Sequence, residues 1–132
     1  MRITADTNVL VRAAVQDDPK QARQAAQILQ QAELVAVPVP AICEFVWVLR
    51  RLYKKSTAEI SDAIRRLMNG SNVVANGPAI EAGLSVLDSG GDFADGVIAY
   101  EGDWLGAEEF VSFDSKAVAV LRSQGGRARL LS

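Results

Sequence analysis

The stretch RITADTNVLVRAAV, residues 2–15, decides the fold class because it joins a short extended segment directly to a segment that suits a helix. Arg2 to Ala5 is extended in character, and Val9 to Val15 has the apolar content of a packed helix. A strand that leads straight into a helix is the first step of an alternating α/β chain. Asp6 lies between the two segments, immediately after the strand.

The rest of the chain repeats this alternation. Pro19 fits the first turn of a helix, Pro40 begins an apolar helix that we expect to be largely buried, and Ser56 or Thr57 caps the next helix. The predicted strands are Arg2–Ala5, Leu34–Val37, Asn72–Ala75 and Phe110–Phe113, with Arg129–Leu131 as a candidate edge strand. The predicted helices are Val9–Val15, Pro19–Ala32, Pro40–Leu52, one that Gly70 ends, Pro78–Leu87, one that begins at Asp92 or Phe93, and Lys116–Leu121.

Strands that alternate with helices predict an α/β fold with a parallel sheet covered on both faces. The chain has no linker, repeat or low-complexity segment that would divide it. We therefore expect a single-domain three-layer α/β/α sandwich over residues 1–132, with a mostly parallel central sheet of four or five strands.

The composition excludes several kinds of site. The chain contains no histidine, which excludes imidazole acid–base chemistry, Ser-His-Asp and Cys-His nucleophiles and histidine-ligated zinc. Its single cysteine, Cys43, excludes an internal disulfide and a multi-cysteine metal site. The net charge is only −2, so any contact with nucleic acid has to be local. If the chain is an enzyme, carboxylates and metal ions are the agents we expect.

The sequence also favours a cytoplasmic protein. Its longest uncharged apolar stretch, Leu34–Cys43, is about half as long as a membrane-spanning helix. Asp6 and Arg12 interrupt the apolar run that an export signal would need near the N-terminus.

Four acidic residues, Asp6, Glu44, Asp95 and Asp114, follow predicted strands or begin predicted helices. In open parallel sheets, sites form beyond the carboxyl ends of the strands. Each residue also has a simpler explanation, because acidic side chains cap helices and interact favourably with their N-termini. The same holds for Asp92, three residues before Asp95. Glu44 most favours a functional role, since a charge in an otherwise apolar helix requires a partner such as a metal.

Taken together, the four acids are more informative than each one alone. Several carboxylates at one end of a sheet repel one another unless cations lie between them. Oxygen ligands without sulfur or imidazole select Mg²⁺ or Mn²⁺. Such ions activate a water and stabilise the attacking and leaving oxygens of a phosphodiester displacement. The acidic residues therefore point to phosphate-ester chemistry.

Four segments, in their order and spacing, resemble those of the PIN-domain nucleases, in particular the VapC-type toxins of bacterial and archaeal toxin–antitoxin modules. The resemblance covers essentially the whole chain. Its segments are Ala5–Leu10, Ala41–Leu49, Asp92–Ala99 and Ser112–Ala117.

The resemblance implies a function for these residues. Asp6, Glu44, Asp95 and Asp114 match the family's catalytic acidic quartet, which binds one or two Mg²⁺ or Mn²⁺ ions. Further polar residues match those around the quartet: Thr7, Asn8, Ser112 and, as an additional acid or only a helix cap, Asp92. The implied activity is endonucleolytic cleavage of RNA by a metal-activated water, which leaves a 3′-hydroxyl and a 5′-phosphate. The implied partners are a second copy in a homodimer and a cognate antitoxin protein whose tail blocks the acidic cleft.

Other features allow two interpretations each. Arg50, Arg51 and Lys54 are suited to binding an RNA backbone, but they also fit the solvated face of amphipathic helices. The nearby aromatic residues Phe45, Trp47 and Tyr53 favour packing over base stacking.

Two alternative functions are weaker. A phosphatase with Asp6 as nucleophile usually carries a second Asp two residues later, where this chain has Asn8. A non-catalytic PIN-fold module that binds RNA or protein has no evident need for all four acids in one cleft.

Overall fold

A computed structural model describes residues 1–132 of the chain. The chain forms two compact units, Met1–Asn76 and Gly77–Ser132. Each unit contains its own parallel sheet and its own helices. None of the helices combines the length and the apolar character that a membrane crossing requires.

The first unit contains three strands and four helices. The strands are β1 (Arg2–Thr4), β2 (Leu34–Ala36) and β3 (Val73–Val74), and the helices are α1 (Thr7–Val15), α2 (Pro19–Gln31), α3 (Val39–Arg51) and α4 (Thr57–Met68). Strand β2 is central and pairs in parallel with both neighbours, so that Val35 lies opposite Ile3 on one side and Val73 on the other. The ends of β1 and β2 therefore point to the same edge of this sheet.

Local sequence signals explain where these helices begin. Asp18 caps α2, and Pro19 occupies its first turn, where the missing N–H costs nothing. Helix α4 begins with a capping box, in which the Ser56 hydroxyl accepts from the Glu59 N–H and the Glu59 carboxylate accepts from the Ser56 N–H. The sequence analysis predicts the positions of Pro19 and Ser56, and the structure adds the Asp18 cap and the Glu59 half of the capping box.

Helix α3 differs from the prediction. Ile42, Phe45 and Leu49 are buried, since residues three and four apart share a helix face. Glu44 and Trp47 lie on a different face and are exposed, with Trp47 57% exposed. The expectation of a largely buried helix was wrong, because apolar residues on several faces concealed a helix that packs on one side.

The second unit contains two strands and three helices. They are α5 (Gly77–Asp88), α6 (Phe93–Trp104), β4 (Phe110–Ser112), α7 (Ser115–Ser123) and β5 (Ala128–Leu130). Strands β4 and β5 are parallel, with Ser112 opposite Leu130. A buried apolar cluster joins α5, α7 and β5 through Val86, Val118, Leu121 and Ala128.

Two glycines allow α5 and α6 to pack closely. A Cβ atom at Gly83 would lie 2.6 Å from Cε2 of Phe93, and a Cβ atom at Gly96 would overlap the carbonyl oxygen of Ala82. Side chains larger than hydrogen at these positions would force the helices apart. This contact fixes the first turn of α6, which carries Asp95.

The predicted α/β class and the parallel pairing are confirmed, and the chain has five strands in all. The strands form one sheet of three and one sheet of two. Strand β3 is shorter than the predicted Asn72–Ala75, and the candidate edge strand is present as β5.

Candidate active site

In the first unit, Asp6 caps α1 immediately beyond β1. Its Oδ1 atom accepts a hydrogen bond of 2.8 Å from the backbone N–H of Thr7. Its other carboxylate oxygen accepts no hydrogen bond from the protein, and the residue is exposed. Asp6 therefore uses one oxygen for the helix and keeps the other free for a ligand.

Thr7 connects Asp6 to Glu44. The Thr7 side chain is only 8% exposed, and its hydroxyl donates a hydrogen bond of 3.2 Å to Oε2 of Glu44. Glu44 lies near the start of α3, and its Oε1 atom accepts no hydrogen bond from the protein. The first unit thus brings together Asp6, Thr7 and Glu44. The burial that we expected for Glu44 is absent, so its role depends on this geometry and not on desolvation.

In the second unit, Asp114 repeats the arrangement of Asp6. It follows β4 and caps α7, where its Oδ1 atom accepts from the N–H groups of Lys116 at 3.0 Å and Ala117 at 3.1 Å. The Asp114 N–H in turn donates to the Ser112 hydroxyl at 2.9 Å. Ser112 therefore fixes the backbone of Asp114, while the second oxygen of that carboxylate accepts no hydrogen bond from the protein.

Asp95 lies in the first turn of α6, and Asp92 is the cap of that helix, accepting from the Ala94 N–H at 3.2 Å. Partial burial raises the pKa of Asp95 above its ordinary value, and the negative charges of Asp92 and Asp114 raise it further. The second unit thus places Asp92 and Asp114 close enough to Asp95 for their charges to raise its pKa.

The two pairs of carboxylates fit a small divalent cation by their chemistry. None of the four forms an ion pair with Lys or Arg. In neither unit do three or more His, Cys, Asp or Glu side chains form a metal-binding group by themselves. Mg²⁺ is commonly held by only one or two carboxylates, with water completing its coordination. Asp6 with Glu44, and Asp95 with Asp114, match such partial ligand sets.

The remaining candidates occupy varied positions. Asn8 is exposed in the first turn of α1, and its role beside the acidic residues stays a prediction. Arg50 donates to the Thr57 hydroxyl at 3.1 Å, which joins α3 to α4, whereas Arg51 and Lys54 are exposed. Arg50 thus has a structural contact, and the RNA contacts of all three basic residues stay predictions.

Two of the aromatic residues pack as expected. Phe45 is in the core. The Tyr53 hydroxyl accepts a hydrogen bond from Arg12 and donates one to Asp17. Trp47 is mostly exposed.

One aromatic residue beside the candidate site was missed. Phe113, between Ser112 and Asp114, is 74% exposed. It was assigned to a strand, and a strand in a sheet covered on both faces can be apolar at every position. The polar residues that follow it, Asp114 and Ser115, were the available signal that the strand ends here.

Comparison with known proteins gives one family. The family model described as PIN domain matches residues 3–118, a range that includes all four acidic residues. Comparison with individually curated proteins gives no match.

Proposed function

This chain belongs to the PIN-domain family, and we propose on that basis that it is a metal-dependent endoribonuclease acting as the toxin of a toxin–antitoxin pair. PIN domains have a nuclease-type fold and are typically metal-dependent nucleases. The finer proposal adds RNA as the substrate, Mg²⁺ or Mn²⁺ as the cofactor and a VapC-type biological role. It also places the protein in the cytoplasm with its RNA.

One observation carries the proposal. Three carboxylates, those of Asp6, Glu44 and Asp114, each have one oxygen held by a protein hydrogen bond and one that accepts none from the protein. The fold therefore fixes the direction of each free oxygen before any ligand binds. Asp18, a helix cap of the same unit, also has one bonded oxygen, so the contact that distinguishes the candidate site is the hydrogen bond from the buried Thr7 to Glu44, which caps no helix.

The residues have distinct roles in the proposed reaction. Asp6 and Glu44 on one unit, and Asp95 and Asp114 on the other, would hold Mg²⁺ or Mn²⁺. When bound, the metal supplies an activated water and charge stabilisation at the phosphate. Thr7 orients Glu44, and Ser112 orients Asp114. In the hydrolysis, the water oxygen would bond to phosphorus and release a proton to solvent while the P–O3′ bond breaks, and the departing 3′-oxygen would take up a proton from solvent.

The chain's lack of histidine is consistent with a reaction carried out by carboxylates and a metal ion. No imidazole is available to remove a proton from the attacking water or to protonate the leaving oxygen. A reaction that depends on metal and carboxylates should therefore lack the bell-shaped pH dependence of a histidine pair.

A matched pair of variants tests the nuclease. Asp6 and Asp18 both cap helices in the first unit, and Asn caps nearly as well as Asp. We expect Asp6→Asn to abolish cleavage of a pool of structured cellular RNAs in Mg²⁺ or Mn²⁺, and Asp18→Asn to leave it intact. Chelator should stop cleavage by the wild type and by Asp18→Asn. Equal activity of the two variants, or cleavage in chelator, would contradict the carboxylate–metal mechanism.

The toxin role requires separate experiments. Expression of the wild type should arrest growth, and expression of Asp6→Asn should not. Light scattering should give the mass of a dimer for the purified protein. Absence of growth arrest at a protein level that cuts RNA in vitro would leave a nuclease without the toxin role. Metal-dependent melting with no cleavage of any RNA would favour a non-catalytic binding module.

A further inference from the structure

Phe113 is an exposed aromatic residue held at a fixed point of the second unit. The hydroxyl of its neighbour Ser112 accepts a hydrogen bond from the Asp114 N–H, and the Ser112 carbonyl accepts one from the Leu131 N–H at 2.8 Å. Asp114 is in turn bound to the first turn of α7. The backbone is therefore anchored on both sides of Phe113, while its side chain is 74% exposed.

Folding does not explain this exposure. Phe113 belongs neither to the buried cluster of Val86, Val118, Leu121 and Ala128 nor to the other buried apolar residues of the second unit. An exposed phenyl ring forgoes the hydrophobic stabilisation that burial would give. A single exposed apolar residue is common, but this one directly precedes a carboxylate of the candidate site.

The charges near Phe113 differ from those near the other exposed aromatic group of this unit. Trp104, 76% exposed, donates to the Tyr100 hydroxyl at 2.7 Å and directly follows Asp103 in the sequence, three residues after Glu101. Phe113 lies three residues before Lys116, which is exposed and forms no ion pair. An aromatic face together with a free cation is the usual composition of a surface for single-stranded nucleic acid.

We propose that Phe113 stacks on an unpaired base beside the scissile phosphate, while Lys116 contacts the adjoining backbone. This inference rests on the proposed nuclease function. Phe113 directly precedes Asp114, and consecutive Cα atoms are about 3.8 Å apart, so the ring is attached to the backbone one residue from a candidate ligand. A base in a duplex is already stacked, so the site selects loops and single strands. A phenyl ring forms no hydrogen bond with a base edge, so it selects an unpaired base of any identity.

The decisive experiment pairs a protein change with a substrate change. The substrate is a short single-stranded oligoribonucleotide that contains a mapped cut site, and its matched form lacks the base beside that site. We expect Phe113→Ala to lower kcat/KM by about 5- to 100-fold on the intact substrate, in line with stacking on one base. The abasic substrate should be cut equally slowly by the wild type and by Phe113→Ala, because the same contact is missing in both.

Three further variants distinguish stacking from other roles. Phe113→Trp should retain cleavage, and Phe113→Leu, which is apolar but has no π-face, should lose it. Trp104→Ala serves as the control and should match the wild type. Full activity of Phe113→Leu, or additive effects of Phe113→Ala and the abasic substrate, would overturn the stacking proposal. Unchanged cleavage by Phe113→Ala would overturn it as well and would leave the nuclease function intact.

A binding measurement makes the test independent of turnover. The protein is the cleavage-deficient Asp6→Asn variant, and the oligoribonucleotide carries the fluorescent base 2-aminopurine beside the cut site. Binding should quench the fluorescence of 2-aminopurine, and adding Phe113→Ala should remove the quenching. If no RNA is cut, the same measurement uses single-stranded RNA with 2-aminopurine at successive positions. Quenching that persists in Phe113→Ala, or no binding by either protein, would overturn the proposal. Association into dimers that is lost in Phe113→Ala, with RNA binding unchanged, would assign the ring to a protein interface instead.

Discussion

The hydroxyl of Thr7 donates a hydrogen bond to Oε2 of Glu44 across 3.2 Å, joining residues 37 positions apart in the sequence. Thr7 also supplies the backbone N–H that Asp6 accepts. One buried residue thus orients two candidate metal ligands. Its removal should affect metal binding more than it affects the fold.

Thr7→Val should weaken metal binding or activity by about 10- to 100-fold, because a residue that orients a metal ligand has effects of this size. The change keeps the shape of the side chain and removes only the hydroxyl. Thr7→Ser keeps the hydroxyl and should stay near the wild type. The measurement is the Mn²⁺ concentration for half-maximal cleavage. If Thr7→Val requires the same Mn²⁺ concentration as the wild type, Thr7 does not orient Glu44 for metal binding.

Asp95→Asn should stabilise the metal-free protein at neutral pH while it abolishes cleavage. The pKa of Asp95 is raised in the folded state, so folding holds its proton more tightly than the unfolded chain does. The free energy of unfolding therefore falls as pH rises from the ordinary pKa of 3.8 through the raised pKa. At every pH above the raised pKa, this loss of stability persists.

Thermal melting in chelator at several pH values measures this effect. The advantage of Asp95→Asn should be largest at neutral pH and should vanish below pH 3.8. Adding Mg²⁺ should reduce it by stabilising the wild type. Asp103→Asn, on the exposed surface of the same helix, should show no such pattern. Equal melting of Asp95→Asn and the wild type at every pH would contradict the electrostatic strain at this residue.

Gly96→Ala should destabilise the second unit by about 1–3 kcal/mol, since its methyl group would overlap the Ala82 carbonyl oxygen. Gly102→Ala is the matched control on α6. Its Cβ would meet nothing closer than the Ala107 Cβ at 3.9 Å, so helix propensity should add about 0.5 kcal/mol of stability. Urea unfolding gives both values. Similar effects of the two substitutions would show that α5 and α6 are not packed closely at Gly96.

Lys116→Ala should make RNA binding less dependent on salt. A cation that neutralises one phosphate of a single strand contributes a slope of about 0.7 in log K against log salt concentration. We expect the slope of Lys116→Ala to be shallower by about that amount when the binding of single-stranded RNA is measured at increasing KCl concentrations in the Asp6→Asn background. Lys20→Ala, an exposed lysine on α2, is the control and should retain the full slope. A steeper or unchanged slope for Lys116→Ala would exclude the phosphate contact.

The helix boundaries were largely predictable because their signals are local. Pro19, Ser56 and Asp92 all mark helix starts where the sequence indicates. Strand lengths were less predictable, since a strand ends where its neighbour stops pairing. Val73 and Val74 alone pair with β2, although the predicted strand continued on both sides.

The helix-cap positions of Asp6 and Asp114 were predictable, whereas the role of the four acids as metal ligands stays a prediction. The sequence offered helix capping and metal binding as alternatives for Asp6 and Asp114, whereas each residue has one oxygen for a cap and another that is free. The exposure of Glu44 and Phe113 depends on which faces other elements cover. A single sequence does not contain that information at these positions.

The double use of Asp6 and Asp114 also has an evolutionary consequence. A single nucleotide substitution converts an aspartate codon into an asparagine codon, and asparagine serves equally as a helix cap. Such a mutation would remove a ligand charge and leave the helix intact. Under the proposed nuclease function, the gene is therefore one mutational step from a folded, inactive product, so selection could remove the activity without losing the protein.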